Sequence, residues 1–145
     1  MDDRRGYFWR GPITDPALAN RIIRRTTIGF AILATFLTLS AIVSVSNGQA
    51  NSSTLVVFGL MDIAVVALGA ARSAIAAGFL FAASTIFLFG AAIIITAVAS
   101  KGDPSAWLAA GVLLAIFVPA AVAALRAVRA ARYLRKPPVA VEAFD

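Results

Sequence analysis

Long apolar runs separated by short polar breaks dominate this chain. They cover Thr27–Val45, Leu55–Ala71, Ala74–Ala99 and Ala106–Leu125. Each lies at or near the length of about 17–25 apolar residues that a helix needs to cross a bilayer. The break between the second and third runs centres on Arg72-Ser73 and contains no proline. It predicts a tight helical hairpin, because one continuous helix would be too long for one bilayer. Upstream, Asp15-Pro16 predicts a helix start, with the carboxylate accepting orphan amide hydrogens and proline at the first helical position. That helix is expected to run through Arg25 into the first span. The run from Ile28 to Val45 exceeds the roughly 7–15 residues of a signal-peptide core, so an uncleaved first span is expected. At the other end Pro137-Pro138 stops the last helix.

The pattern predicts an all-α integral membrane protein with four transmembrane helices in an up-down bundle. Residues 1–26 form an N-terminal segment with an interfacial anchor and a helix start. Residues 27–125 form the transmembrane domain, with spans near 27–45, 55–71, 74–99 and 106–125. Residues 126–145 form a basic helix extension and a tail.

Composition agrees with lipid as the main solvent. The chain is 61% hydrophobic and 14% charged, with a mean hydropathy of +0.89. Soluble domains average about 45–50% apolar and about 25% charged residues. Too few polar side chains are present to cover a water-facing surface.

The net charge of +6 is distributed by side rather than along a soluble face. Arg4, Arg5, Arg10, Arg21, Arg24 and Arg25 precede the first span, Arg72 sits in the tight turn, and Arg126, Arg129, Arg132, Arg135 and Lys136 follow the fourth. Four spans place all of these on one side and leave Lys101 alone on the other. Lys and Arg flanks are retained inside, so both termini are expected in the cytoplasm. Arginine over lysine and abundant alanine fit a high-GC bacterium, and therefore an inner membrane. This distribution argues against nucleic acid as a partner.

The chain has no cysteine and no histidine. Disulfides, thiolate metal sites and histidine ligation or base chemistry are excluded, and no metal or cofactor is expected. One ionisable side chain, Asp62, interrupts the apolar runs. A carboxylate at mid-bilayer depth costs roughly 2.5–3.5 kcal/mol on insertion scales, which marks the residue as a candidate site. Thr35 and Thr38 in the first span, and Ser84 and Thr85 in the third, lie at similar depth. Pro119 frees the carbonyl of Ala115 as a further acceptor near that depth. Three roles for Asp62 follow: a hydrogen bond inside the bundle, a contact to another subunit, or a proton- or cation-coupling group.

Helix association in lipid relies on close packing, so small residues mark candidate contacts. Ala31, Ala34, Thr38 and Ala41 form one stripe on the first span. Gly59, Asp62 and Gly69 share a face of the second, with Val66 between them. Ala74, Gly78, Ala82 and Gly90 follow one face of the third, and Gly111 and Ala115 mark the fourth. Phe79, Phe81, Phe87 and Phe89 are then expected to face lipid or a partner. Arg4, Arg5 and Trp9, together with Arg126, Arg129, Arg132, Arg135 and Lys136, are expected to meet anionic phospholipid headgroups or an acidic partner.

No nucleophile, base and orienting group converge in this sequence, so an enzyme is not expected. The expected role is a non-catalytic accessory or structural subunit of a larger inner-membrane complex. The alternative is a small oligomeric transporter or proton/cation pathway with Asp62 as its coupling carboxylate.

Overall fold

The computed structural model describes residues 12–13, 15–99 and 104–135. They form four helices: α1 Pro16–Ser46, α2 Ser53–Ala71, α3 Ala74–Ala99 and α4 Pro104–Arg135. Three helical segments, Pro16–Ser46, Ser53–Ala71 and Gly111–Arg135, are long and apolar enough to cross a membrane. The sequence expectations for residues 1–11, for Lys101 and for residues 136–145 lie outside the described residues.

Local chemistry sets the helix ends. The Asp15 carboxylate accepts from the Ala17 amide at 2.9 Å, and Pro16 occupies the first turn. At the far end of α1 the amides of Asn47 and Gly48 bond back to the carbonyls of Val43 and Val45, both at 3.0 Å. Gly48 takes a φ of 70°, a left-handed conformation that glycine adopts without a Cβ penalty. The α2–α3 connection is only Arg72 and Ser73. Arg72 adopts φ 49° and ψ 40° at the end of α2. A left-handed conformation costs a non-glycine residue about 1–2 kcal/mol. Ser73 then opens α3, its hydroxyl accepting from the Ala76 amide at 3.3 Å. The expected tight hairpin is therefore present.

Consecutive helices pack side by side, and α1 also packs against α4, which closes a ring; the two diagonal pairs touch only lightly. The main core gathers Ala19, Ile22 and Phe30 of α1, Leu68 of α2, Leu80 of α3, and Ala124 and Ala127 of α4. These come from the first half of α1 and α3 and the second half of α2 and α4. The core thus sits toward the end of the ring that carries the α2–α3 turn and the arginine-rich part of α4.

The faces used for packing differ in part from the expected ones. On α1, Ala34 and Ala41 are buried and Thr38 is half-buried, but Ala31 is exposed. Among the described side chains of α3, those buried are Ala76, Ala77, Leu80 and Ser84, a face rotated away from Ala74, Gly78 and Ala82. On α4, Gly111 and Ala115 are exposed, and Phe117, Ala121, Ala124 and Ala127 take the contact. A methyl group added at Gly59, Gly78, Gly90 or Gly111 would meet nothing within 4 Å. These four glycines are not points of closest helix approach within the described chain. Gly69 is such a point: an added Cβ would lie 2.9 Å from Thr27 Cγ2.

Phe87 also departs from the expected lipid-facing role. It stacks between Phe58 of α2, with centroids 6.1 Å apart, and Phe117 of α4, at 4.9 Å. Three rings thereby join three helices through nearly parallel faces. Phe81 packs against the core, while Phe79 and Phe89 point outward as expected.

Candidate functional site

Asp62 lies midway along α2, one residue from the buried Met61 and two from the buried Ala64. Its side chain is half-buried at the edge of the face that α2 turns toward α1. Thr38 Oγ1 donates to Asp62 Oδ2 at 2.9 Å, an unstrained distance for such a bond. The two residues are brought together because Thr38 shares a stripe of α1 with Ala34 and Ala41, whose small side chains admit α2. Thr38 is the partner of Asp62 among the described residues.

The other polar residues expected near Asp62 are arranged differently. Thr35, one turn before Thr38, is exposed. Ser84 donates to the Leu80 carbonyl and Thr85 to the Phe81 carbonyl, each at 2.8 Å within α3. Their hydroxyls are satisfied one turn back, which is an alternative always open to Ser and Thr in an apolar helix. Pro119 is exposed and lines a cleft between α1 and α4. The Ala115 carbonyl, offered as a further acceptor near that depth, is not bonded to Asp62. The reason lies in the packing order: α2 and α4 are diagonal in the ring, whereas α2 and α1 are neighbours.

Two polar contacts escaped the sequence reading. Thr26, 2% exposed, donates to the Ala123 carbonyl at 3.4 Å and links α1 to α4. Thr27 donates to the Ile23 carbonyl at 2.9 Å and sets its methyl against Gly69. A signal for Thr26 was present: it precedes Phe30 and Ala34 by four and eight residues on one helix face. Taking the first span from Thr27 cut that stripe short.

The cleft between α1 and α4 has a volume of about 360 Å³ and is walled mainly by Gly29, Phe30, Leu33, Ile116, Pro119 and Ala120, with Arg25 at one end. It is apolar and does not include Asp62. Among the basic residues of α4, Arg129, Arg132 and Arg135 are exposed, as expected for groups that meet headgroups. Arg126 differs, being 7% exposed and packed within the fold rather than displayed on the stripe. Arg4, Arg5, Trp9 and Lys136 lie outside the described residues.

One carboxyl and one hydroxyl can hold two helices together or exchange a proton. Among the described residues no group of three or more carboxylates gathers to hold a metal ion. Comparison with protein-family models, with curated proteins and with solved structures finds no match to this chain.

Proposed function

We propose that this protein is a four-span bacterial inner-membrane protein that serves as a non-catalytic accessory or structural subunit of a larger complex. The observation that carries this reading is the use made of the central carboxyl. Asp62 joins α1 to α2 through Thr38, and the hydroxyls of Ser84 and Thr85 bond within their own helix. Among the described residues, no base, nucleophile and orienting group face a common space, as catalysis would require. Each helix also keeps large apolar side chains outward, such as Phe36, Ile63, Phe89 and Leu108. These suit lipid and partner helices equally.

We assign the fourth crossing to α3, whose 26 residues reach roughly 39 Å at about 1.5 Å per residue, enough to cross the roughly 30 Å hydrocarbon layer with length to spare. With four crossings, the arginines before α1, in the α2–α3 turn and after α4 share one side, which supports cytoplasmic termini. Anionic phospholipids then meet Arg129, Arg132 and Arg135, and nucleic acid is not a partner. Gentle detergent extraction followed by affinity capture is the test. Larger membrane polypeptides should travel with the chain, and purification as an isolated monomer at native expression would remove the proposal.

A second reading is favoured by one detail. Thr38 engages Oδ2 of Asp62, while Oδ1 accepts no bond among the described residues. A half-buried acid with a spare oxygen suits a proton or cation pathway in an oligomer. Proteoliposome flux decides it: transport by wild type that Asp62→Asn abolishes supports this reading, and equal flux in both eliminates it.

A further inference from the structure

We propose that a cleft between α1 and α2, flanked by Arg24 and Arg72, binds the phosphate of an anionic phospholipid. The cleft has a volume of about 340 Å³, and Asn20, Arg24, Thr27, Ile28, Gly69 and Arg72 contribute to its walls. Both arginines are exposed, and neither forms a hydrogen bond or ion pair with a described residue. Asp15 and Asp62 are the carboxylates among the described residues, and neither lines the cleft. Among the described residues, two guanidiniums therefore share one cavity without a counter-charge. Their planar forks match the oxygens of a phosphate, which would remove the repulsion between them.

Two further observations separate this cavity from an ordinary basic surface. Arg72 occupies its position at a left-handed φ of 49°, where glycine would be unstrained. Strain held at a charged residue beside a cavity points to a role for that side chain. Gly69 forms a tight wall of the cavity where α1 and α2 approach closely, since an added Cβ would lie 2.9 Å from Thr27 Cγ2. The source of the phosphate follows from the walls. Ile28 and Gly69 continue the cleft along the apolar stretches of α1 and α2, where the glycerol and acyl chains of a lipid can lie. The site requires that these two helices cross the membrane, and it stands with or without a protein partner.

Native mass spectrometry tests the site on the full chain released from phosphatidylcholine nanodiscs containing phosphatidylglycerol. Wild type should retain one phosphatidylglycerol. Neutralising each arginine should weaken retention about fivefold, and R24Q/R72Q roughly thirtyfold, from the usual contribution of a basic residue at an anionic surface. Arg21 is exposed on α1 outside the cleft. R21Q should therefore retain the lipid, although it removes the same charge. Equal loss in R21Q and R24Q would reduce the effect to net charge and overturn the site, as would undiminished retention in R24Q/R72Q. If the double variant does not fold, the single R24Q and R72Q variants report the same loss. Millimolar inorganic phosphate should leave the lipid bound; complete displacement by it would overturn the lipid assignment.

Discussion

The half-buried bond between Thr38 and Asp62 joins two helices that are long and apolar enough to cross a membrane. Side-chain hydrogen bonds between membrane helices contribute about 0.6 kcal/mol on average and up to about 1.7. Thr38→Val should therefore destabilise the fold by about 0.6–1.7 kcal/mol, measured by reversible unfolding in mixed micelles. Thr38→Val should cost much less in an Asp62→Leu background, and equal costs in both backgrounds would show that the pair is not coupled. Gly69 offers a second measurement at this scale. Gly69→Ala places a methyl group 2.9 Å from Thr27 Cγ2 and should cost about 1–3 kcal/mol, as overpacking does. Adding Thr27→Ser removes the opposing methyl and should recover most of the loss. Gly78→Ala, in open space, should be neutral or stabilising by up to about 1 kcal/mol through helix propensity. Sequence marked all five glycines alike because small size is visible in a sequence and the neighbour it faces is not.

The helices themselves follow from local chemistry. At about 1.5 Å per residue, the 19 residues of α2 span roughly 28 Å, close to the roughly 30 Å of the hydrocarbon layer. The 31 residues of α1 span roughly 46 Å, long enough for its first turns, with Arg21, Arg24 and Arg25, to extend beyond that layer. The Asp15 cap, the tight Arg72-Ser73 turn and the run of α1 from Pro16 were all readable because each depends on neighbours a few residues away. The working face of α3 was not. Its hydropathy is high all round, and Phe87 and Phe89 look equivalent until their neighbours are placed. Phe87→Ala should lose two stacking partners, Phe58 and Phe117, at about 0.5–1.5 kcal/mol each beyond area terms. Phe89→Ala, 68% exposed in wild type, should change stability by less than about 0.5 kcal/mol. Similar losses in the same unfolding assay would mean that the three rings do not act as a joint between helices.

For the molecule as a whole, the absence of native cysteine makes the topology directly measurable. Single cysteines at Gly48, Ser73 and Arg135 can be labelled with a membrane-impermeant maleimide in intact spheroplasts. Gly48→Cys should label from outside, whereas Ser73→Cys and Arg135→Cys should label only after lysis. Labelling of both Gly48→Cys and Arg135→Cys from outside, with Ser73→Cys protected, would mean that one of the last two helices does not cross. The amino-acid order alone specified an all-helical chain of long apolar helices and its uneven charge, because hydropathy, capping and charge are properties of short segments. Folding chose which stripes meet, with Thr38 given to Asp62 and Phe87 turned inward. Surrounding lipid is as apolar as the interior, so hydropathy does not distinguish a side chain facing another helix from one facing acyl chains. That distinction arises from shape and hydrogen bonding between segments far apart in sequence.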